Sequence, residues 1–235
     1  MKFSTISAAT VLSGLACASP APIEQRAGTV KGFDISHYQG TVDFKAAYSA
    51  GARFVIIKAT ESTNYVDAGF SDHYDGATAA GLIRGGYHFA HPNAGTGTAQ
   101  ANYFLAHGGG WTADGKTLPG MLDIEYNPSG ATCYGLSAAA MVTWISDFVS
   151  TYHTKTGRYP LIYSTNDWWT TCTGNSKSFS ANSPLVLASY NSAVGTIPGG
   201  WGFQTIWQNT DSYTYGGDSD IFNGDETQLK KLATG

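Results

Sequence analysis

Charge is scarce in this chain. Only 13% of its 235 residues are Asp, Glu, Lys or Arg, against about 25% in an ordinary soluble protein. With 13 basic and 17 acidic side chains the formal net charge is −4. That balance argues against a nucleic-acid binder, which needs clustered Lys and Arg to meet phosphate. Intrinsic disorder is equally disfavoured, because low charge comes with 42% hydrophobic and 13% aromatic residues. There are three cysteines, and neither Cys133 nor Cys172 lies in a metal-ligand spacing. No G-x-G-x-x-G, P-loop, H-E-x-x-H or G-x-S-x-G pattern occurs. Nucleotide, zinc-protease and serine-esterase chemistry therefore have no support. No apolar run is long enough to span a bilayer, so no membrane partner is expected. What the chain has in quantity is glycine (29) and tyrosine (14), a composition of tight turns and aromatic surfaces. Such surfaces often hold sugars, although composition alone does not establish it.

The first segment reads as an export signal. Lys2 supplies the positive start, Ile6 to Ala16 is a short apolar and small-residue stretch, and Ala16-Cys17-Ala18 is a small-residue cleavage site. Residues 1–18 are thus expected to be a signal peptide and 19–26 a short pro-segment ending at Arg26. Residues 27–235 are expected to form a single catalytic domain, secreted and monomeric. Removal of Lys2, Glu24 and Arg26 takes the net charge from −4 to −5. It also removes Cys17 and leaves Cys133 and Cys172. In an oxidising compartment these are most simply one disulfide; two buried free thiols are the alternative.

Along the rest of the chain, short apolar runs alternate with helix-like segments or loops. Strands are expected at Val30–Ile35, Phe54–Ala59, Ile83–Phe89, Gly120–Glu125, Leu161–Ser164, Leu185–Ser189, Thr205–Gln208 and Ser219–Phe222. The second and sixth are almost wholly apolar, as in parallel strands covered on both faces. Helices are expected at Val42–Ala50, Ala68–Ala80, Thr98–His107, Ser137–Thr154 and Glu226–Leu232. The fourth has Met141, Trp144, Ile145, Phe148 and Tyr152 at helical spacing, Ser137 as N-cap and Gly157 as stop. Eight such strands in about 200 residues point to the α/β class, as an irregular TIM-like β/α barrel. The later connections are too short for full helices, so some helices should be missing. An open doubly wound sheet is the competing architecture.

In such barrels the chemistry sits at the C-terminal ends of the strands. Asp123 and Glu125 end the apolar run GMLDIEY, and residues i and i+2 on a strand share a face about 7 Å apart. Burying two carboxylates together raises the pKa of one of them. A protonated acid beside an ionised carboxylate is what glycoside hydrolysis requires. Two solvated acids at a strand-to-loop junction are the plainer alternative. Asp34 ends the first strand, where an Asx turn would also explain it. Asp218 and Asp220 flank Ser219 in the last strand, and the sequence does not say which points inward. Tyr87, Tyr163, Tyr190 and Trp207 lie at strand ends too, but for any one of them taken singly core packing is the better reading. His37, His88 and His91 lie near loop ends without a ligand spacing, so neither a metal nor a cofactor is expected.

Taken in order, Gly32-Phe33-Asp34-Ile35-Ser36 with Tyr38-Gln39-Gly40, then FVIIKATE at 54–61, then Gly86-Tyr87-His88-Phe89 and Leu122-Asp123-Ile124-Glu125, resemble glycoside hydrolase family 25, the Chalaropsis-type lysozymes. Ile206-Trp207-Gln208 and Asp220-Ile221-Phe222-Asn223 look like that family's closing motifs. The family's own closing pattern, Asp-x-Asn, is one residue shorter. The resemblance spans the whole expected mature chain. It implies hydrolysis of the β-1,4 bond between N-acetylmuramic acid and N-acetylglucosamine in bacterial peptidoglycan, with Glu125 as general acid and Asp123 beside it. Asp34 and Asp220 would be the two further acids. Tyr87, Tyr163 and Gln208, with Phe89, Tyr190 and Trp207 at the same strand ends, would hold substrate. A chitinase-like glycosidase is disfavoured by Met121, where that family carries an additional aspartate. A non-catalytic sugar-binding barrel would be expected to have lost the acid at Glu125.

Overall fold

The computed structural model describes residues 28–235. The expected signal peptide and pro-segment, 1–26, lie outside them. Nine strands form the sheet: β1 (Val30–Ile35), β2 (Ala52–Glu61), β3 (Tyr65–Val66), β4 (Ile83–Phe89), β5 (Met121–Asp123), β6 (Leu161–Thr165), β7 (Leu185–Ala188), β8 (Ile206–Thr210) and β9 (Asp218–Phe222). The helices are α1 (Phe44–Ser49), α2 (Phe70–Ala80), α3 (Gly97–Ala106), α4 (Ala138–Thr156), α5 (Asn166–Thr173) and α6 (Glu226–Thr234).

Strand β1 pairs with both β2 and β9, which closes eight strands into a ring. Closure excludes the open doubly wound sheet. The short β3 folds back antiparallel on the end of β2, with Thr60 opposite Val66 and Glu61 opposite Tyr65. Neighbours from β1 through β8 run parallel, whereas β9 runs antiparallel to both β8 and β1. Connection length decides this. A parallel crossover needs a dozen or more residues, and only 211–217 separate β8 from β9. Two helices of a complete barrel are missing: residues 189–205 cross from β7 to β8 without one, and the short β8–β9 connection has no room for one.

Three apolar layers hold this frame. The barrel interior is filled by Val30, Phe54, Ile56, Met121, Leu161, Val186, Ile206 and Phe222, alternate residues of successive strands. Outside β4 to β7, α3, α4 and α5 bury Phe104, Met141, Phe148, Tyr152, Trp168 and Trp169. On the other flank α1 and α2 cover Phe33, Val55 and Ile57 with Phe44 and Ala77. Helix α4 has the expected signals: the Ser137 hydroxyl accepts from the Ala140 amide, and Gly157 is left-handed at φ 74°. Its Tyr152 hydroxyl donates to the Gly109 carbonyl at 2.9 Å and accepts from the Gly120 amide at 2.6 Å, pinning the chain just before β5.

Two elements escaped the sequence pattern. Helix α5 (NDWWTTCT) is rich in β-branched and polar residues of low helix propensity. It forms because Thr165 caps it, Trp168 and Trp169 are buried, and Cys172 is bonded to Cys133 with their Cα atoms 5.3 Å apart. That bond settles the cysteine alternatives in favour of the disulfide. The two-residue β3 is too short to show a period.

Candidate active site

Side-chain alternation carries the polar residues to the mouth. Above the interior apolar layer, β1 presents Asp34, β2 Lys58, β4 Tyr87 and Phe89, β5 Asp123, β6 Tyr163 and β8 Gln208. Because β9 runs backwards, its N-terminal end is the end at the mouth. Its interior face reads Asp218, Asp220, Phe222 from mouth to floor. In register, Asp34 lies opposite Asp218, and Asp220 lies opposite both Gly32 and Gln208. Both acids of the DSD triplet therefore point inward, with Asp218 the nearer to the mouth. Gly217 permits this approach. Its φ is +74°, and a Cβ there would collide with the Asp34 carbonyl oxygen.

Gln208 is the hub of the cluster. Its Nε2 donates to Asp34 Oδ2 at 2.7 Å, and its Oε1 accepts from the hydroxyls of Tyr163 and Tyr190, each at 2.8 Å. Asp123 is buried, and its Oδ1 makes no hydrogen bond among the described residues. Glu125 lies two residues on, past the end of β5 and half-buried. The expected strand over Gly120–Glu125 is thus shorter. Regular pairing stops at Asp123, although the Ile124 amide still bonds the Tyr163 carbonyl at 3.1 Å.

Desolvation and mutual repulsion push these acids up. Glu125 is raised to about 7, by burial first and by Asp218 second, with Lys58 opposing. Asp34 is raised to about 8 by burial and Asp218, against the hydrogen bond from Gln208. Asp123 rises well above the usual carboxylate range through burial, then Glu125 and Asp34. Asp220 does so through burial, then Asp34 and Asp218, and neither of its oxygens has a hydrogen-bond partner among the described residues. Acids crowded in this way titrate as a set, and at neutral pH the set retains protons that separate acids would have lost. Lys58 is the cation that counters them. It is paired with Glu61 at 2.6 Å and lies 5.1 Å from the centre of the Phe89 ring.

Of the residues expected from sequence, Asp34, Asp123, Tyr87, Phe89, Tyr163 and Gln208 share the interior face, Glu125 joins them at the mouth, and Tyr190 reaches the cluster through Gln208. Asp220 belongs to the same face but lies one layer deeper. Trp207 does not. It is out of phase with Gln208, on the outer side of β8, where its indole N–H donates to the Ser189 carbonyl at 2.8 Å. Asn223 also lies elsewhere. Its side chain donates to the Gln204 carbonyl at the floor, because the reversed β9 ends there. The sequence left Asp218 and Asp220 as alternatives for the inward acid and did not single out Lys58. The available signal was the i, i+2 spacing of Asp218 with Asp220. The histidines do not converge with Asp34: His37 bonds Asp67, His91 bonds Glu61, and His88 is buried between Thr60 and Gln100 outside the barrel. Among the described residues no group of three or more His, Cys, Asp or Glu side chains is placed to hold a metal ion.

A closed barrel whose mouth gathers desolvated carboxylates and tyrosine hydroxyls is the layout of a glycoside hydrolase. The family model for glycosyl hydrolases family 25 matches residues 33–218. The chain is 62% identical over 211 residues to the N,O-diacetylmuramidase of Chalaropsis sp, covering 88% of this chain and 100% of that protein. It is 55% identical over 235 residues to the N,O-diacetylmuramidase of Arthroderma benhamiae, covering 100% of both. A family GH25 lysozyme structure from Aspergillus fumigatus superposes with a TM-score of 0.88 at 62% identity, over 88% of this chain and 100% of that one. The chain belongs to glycosyl hydrolases family 25.

Proposed function

We propose that this protein is a secreted muramidase that cuts the β-1,4 bond between N-acetylmuramic acid and N-acetylglucosamine in bacterial peptidoglycan. Family membership and the muramidase relatives support the substrate. The observation that carries the chemistry is the pair at the mouth: Glu125, half-buried and raised to about 7, two residues from buried Asp123.

Glu125 has the protonation and position of a general acid. At or below neutral pH a large fraction holds its proton, which passes to the glycosidic oxygen as the bond to the anomeric carbon breaks. Asp123 serves the positive charge that develops at that carbon. In a retaining, substrate-assisted route the acetamido carbonyl oxygen of the muramic acid unit attacks the anomeric carbon, and Asp123 orients and stabilises the acetamido N–H. Glu125, now ionised, then takes a proton from the water that opens this intermediate. Tyr163, Tyr190 and Gln208 present fixed hydrogen-bonding groups to the sugar, and Asp34 is held ready by Gln208. No step calls for a metal or an organic cofactor. The net acidic chain gives no long-range attraction to an anionic wall, so contact rests on hydrogen bonds and aromatic faces.

The test is loss of turbidity of a bacterial wall suspension, with the new reducing ends identified. Muramic acid at those ends is expected. N-acetylglucosamine there, or clearing of chitin oligomers alone, would replace the assignment with another glycosidase. Glu125→Gln should abolish turnover while the circular-dichroism spectrum stays unchanged; a fully active variant removes Glu125 from the mechanism.

A further inference from the structure

The mouth has an aromatic shoulder that the acid cluster does not use. Past the end of β1, residues 37–39 form a single 3-10 turn that sets Tyr38 in solvent at 81% exposure. The backbone that carries this open ring is firmly held. The Ser36 hydroxyl accepts from the Tyr38 amide and the Gln39 side chain accepts from the Ser36 amide, a reciprocal cap on the turn. The Tyr38 ring packs on the His37 ring at 4.1 Å between centroids. His37 is itself fixed by Asp67, whose fully buried carboxylate Oδ2 accepts from the His37 backbone amide at 3.2 Å and lies 2.7 Å from Nδ1.

The hairpin from β2 into β3 supplies the second ring. Tyr65 is 37% exposed, and its hydroxyl lies 3.2 Å from His37 Nδ1. Its face lies 5.5 Å from Lys58 Nζ, and Lys58 is the cation that faces Glu125 and Asp123. The shoulder is thus continuous with the catalytic mouth through one side chain. His37 Nδ1 faces Asp67, and His37 Nε2 makes no hydrogen bond among the described residues.

We propose that Tyr38, His37 and Tyr65 form a further sugar-binding subsite, which takes an N-acetylhexosamine unit of the glycan strand beyond the units that occupy the acid cluster. A pyranose ring presents an apolar C–H face to stack on Tyr38 and Tyr65, and its rim hydroxyls meet His37 Nε2 and the Lys58–Glu61 pair. The subsite makes the enzyme prefer long strands without touching the reacting atoms. The inference rests on the proposed muramidase activity for the identity of the strand.

The experiment uses glycan strands freed of stem peptides and fractionated by length, with wild type, Tyr38→Ala, Tyr65→Ala and the double variant. The double variant should lose about tenfold in kcat/KM on long strands and change by less than about twofold on the shortest strand cleaved, as expected when one sugar unit loses both of its stacking rings. Tyr38→Trp should retain the long-strand rate. Equal loss on long and short strands, or no loss on long ones, overturns the subsite. Affinity for the same strands is read separately in a Glu125→Gln background. There Tyr38→Ala should weaken binding of long strands alone; binding indifferent to Tyr38 and Tyr65 also overturns the subsite. If wild type releases no muramic acid ends yet binding depends on Tyr38, the muramidase reading fails and the subsite stands. Because Tyr38 is so exposed, the melting temperature of Tyr38→Ala serves as the check that the fold is intact.

Discussion

Asp34→Asn should make this protein more stable, and only above acid pH. The wild-type carboxyl moves from an ordinary 3.8 to about 8 on folding, chiefly through burial and then through Asp218. A group with a raised folded pKa favours the native state below its unfolded pKa and loses that advantage as pH climbs through the folded value. Between 3.8 and about 8 the native chain therefore holds a proton that the unfolded chain has released. Each pH unit in that window costs the wild type about 1.4 kcal/mol. For Asp34 taken alone, the cost by pH 7 reaches about 4 kcal/mol. Sharing of protons with Asp218, Asp220 and Glu125 reduces what one substitution recovers, so a gain of about 2–4 kcal/mol is expected. Asparagine keeps an oxygen that accepts the 2.7 Å bond from Gln208 Nε2, so the change removes the titration and little else. Urea unfolding of both proteins from pH 4 to pH 8.5 gives the answer. The variant should match wild type near pH 4 and exceed it progressively above. A difference that is flat with pH, or a variant less stable at pH 8, would refute the reasoning.

Three more expectations follow from the same geometry. With Glu125 raised to about 7, kcat/KM should fall about tenfold per unit above that pH; Lys58→Met removes the cation that lowers Glu125 and should move the basic limb of the profile to higher pH. Replacing Cys133 and Cys172 by serine opens a loop of 39 residues' separation and should cost about 4 kcal/mol of stability in urea; an unchanged unfolding midpoint would show that the burial of Trp168 and Trp169 holds α5 by itself. Tyr152→Phe orphans the Gly120 amide and the Gly109 carbonyl, and should cost about 1–3 kcal/mol by the same assay.

Local signals went far in this chain because its strands and helices carry strong local patterns. The apolar runs at 54–59 and 185–188 need no tertiary help to read as strands. Helix α4 announces itself by spacing, by Ser137 and by Gly157. The pairing of Asp123 with Glu125 on one apolar run, and of Asp34 with the end of β1, is likewise a matter of period and position. These suffice for a barrel with acids at its mouth, and for the family to which the motifs belong.

What local pattern cannot hold is direction, depth and electrostatics. Seven residues between β8 and β9 force an antiparallel return. That single reversal brings Asp218 beside Asp34, sinks Asp220 to the layer below and sends Asn223 to the floor. The phase of β8 turns Trp207 outward while Gln208 joins Asp34, Tyr163 and Tyr190. Helix α5 depends on a disulfide to a residue far back in the chain, and the shoulder at Tyr38 depends on a buried Asp67 reaching back from beyond the hairpin. The pKa values come last of all, since they arise from desolvation and from like charges brought together by different strands. Local pattern names the acids, the strand that carries each and the family they mark. The closed barrel alone decided which of them meet, how far from water they lie, and therefore which holds a proton at neutral pH.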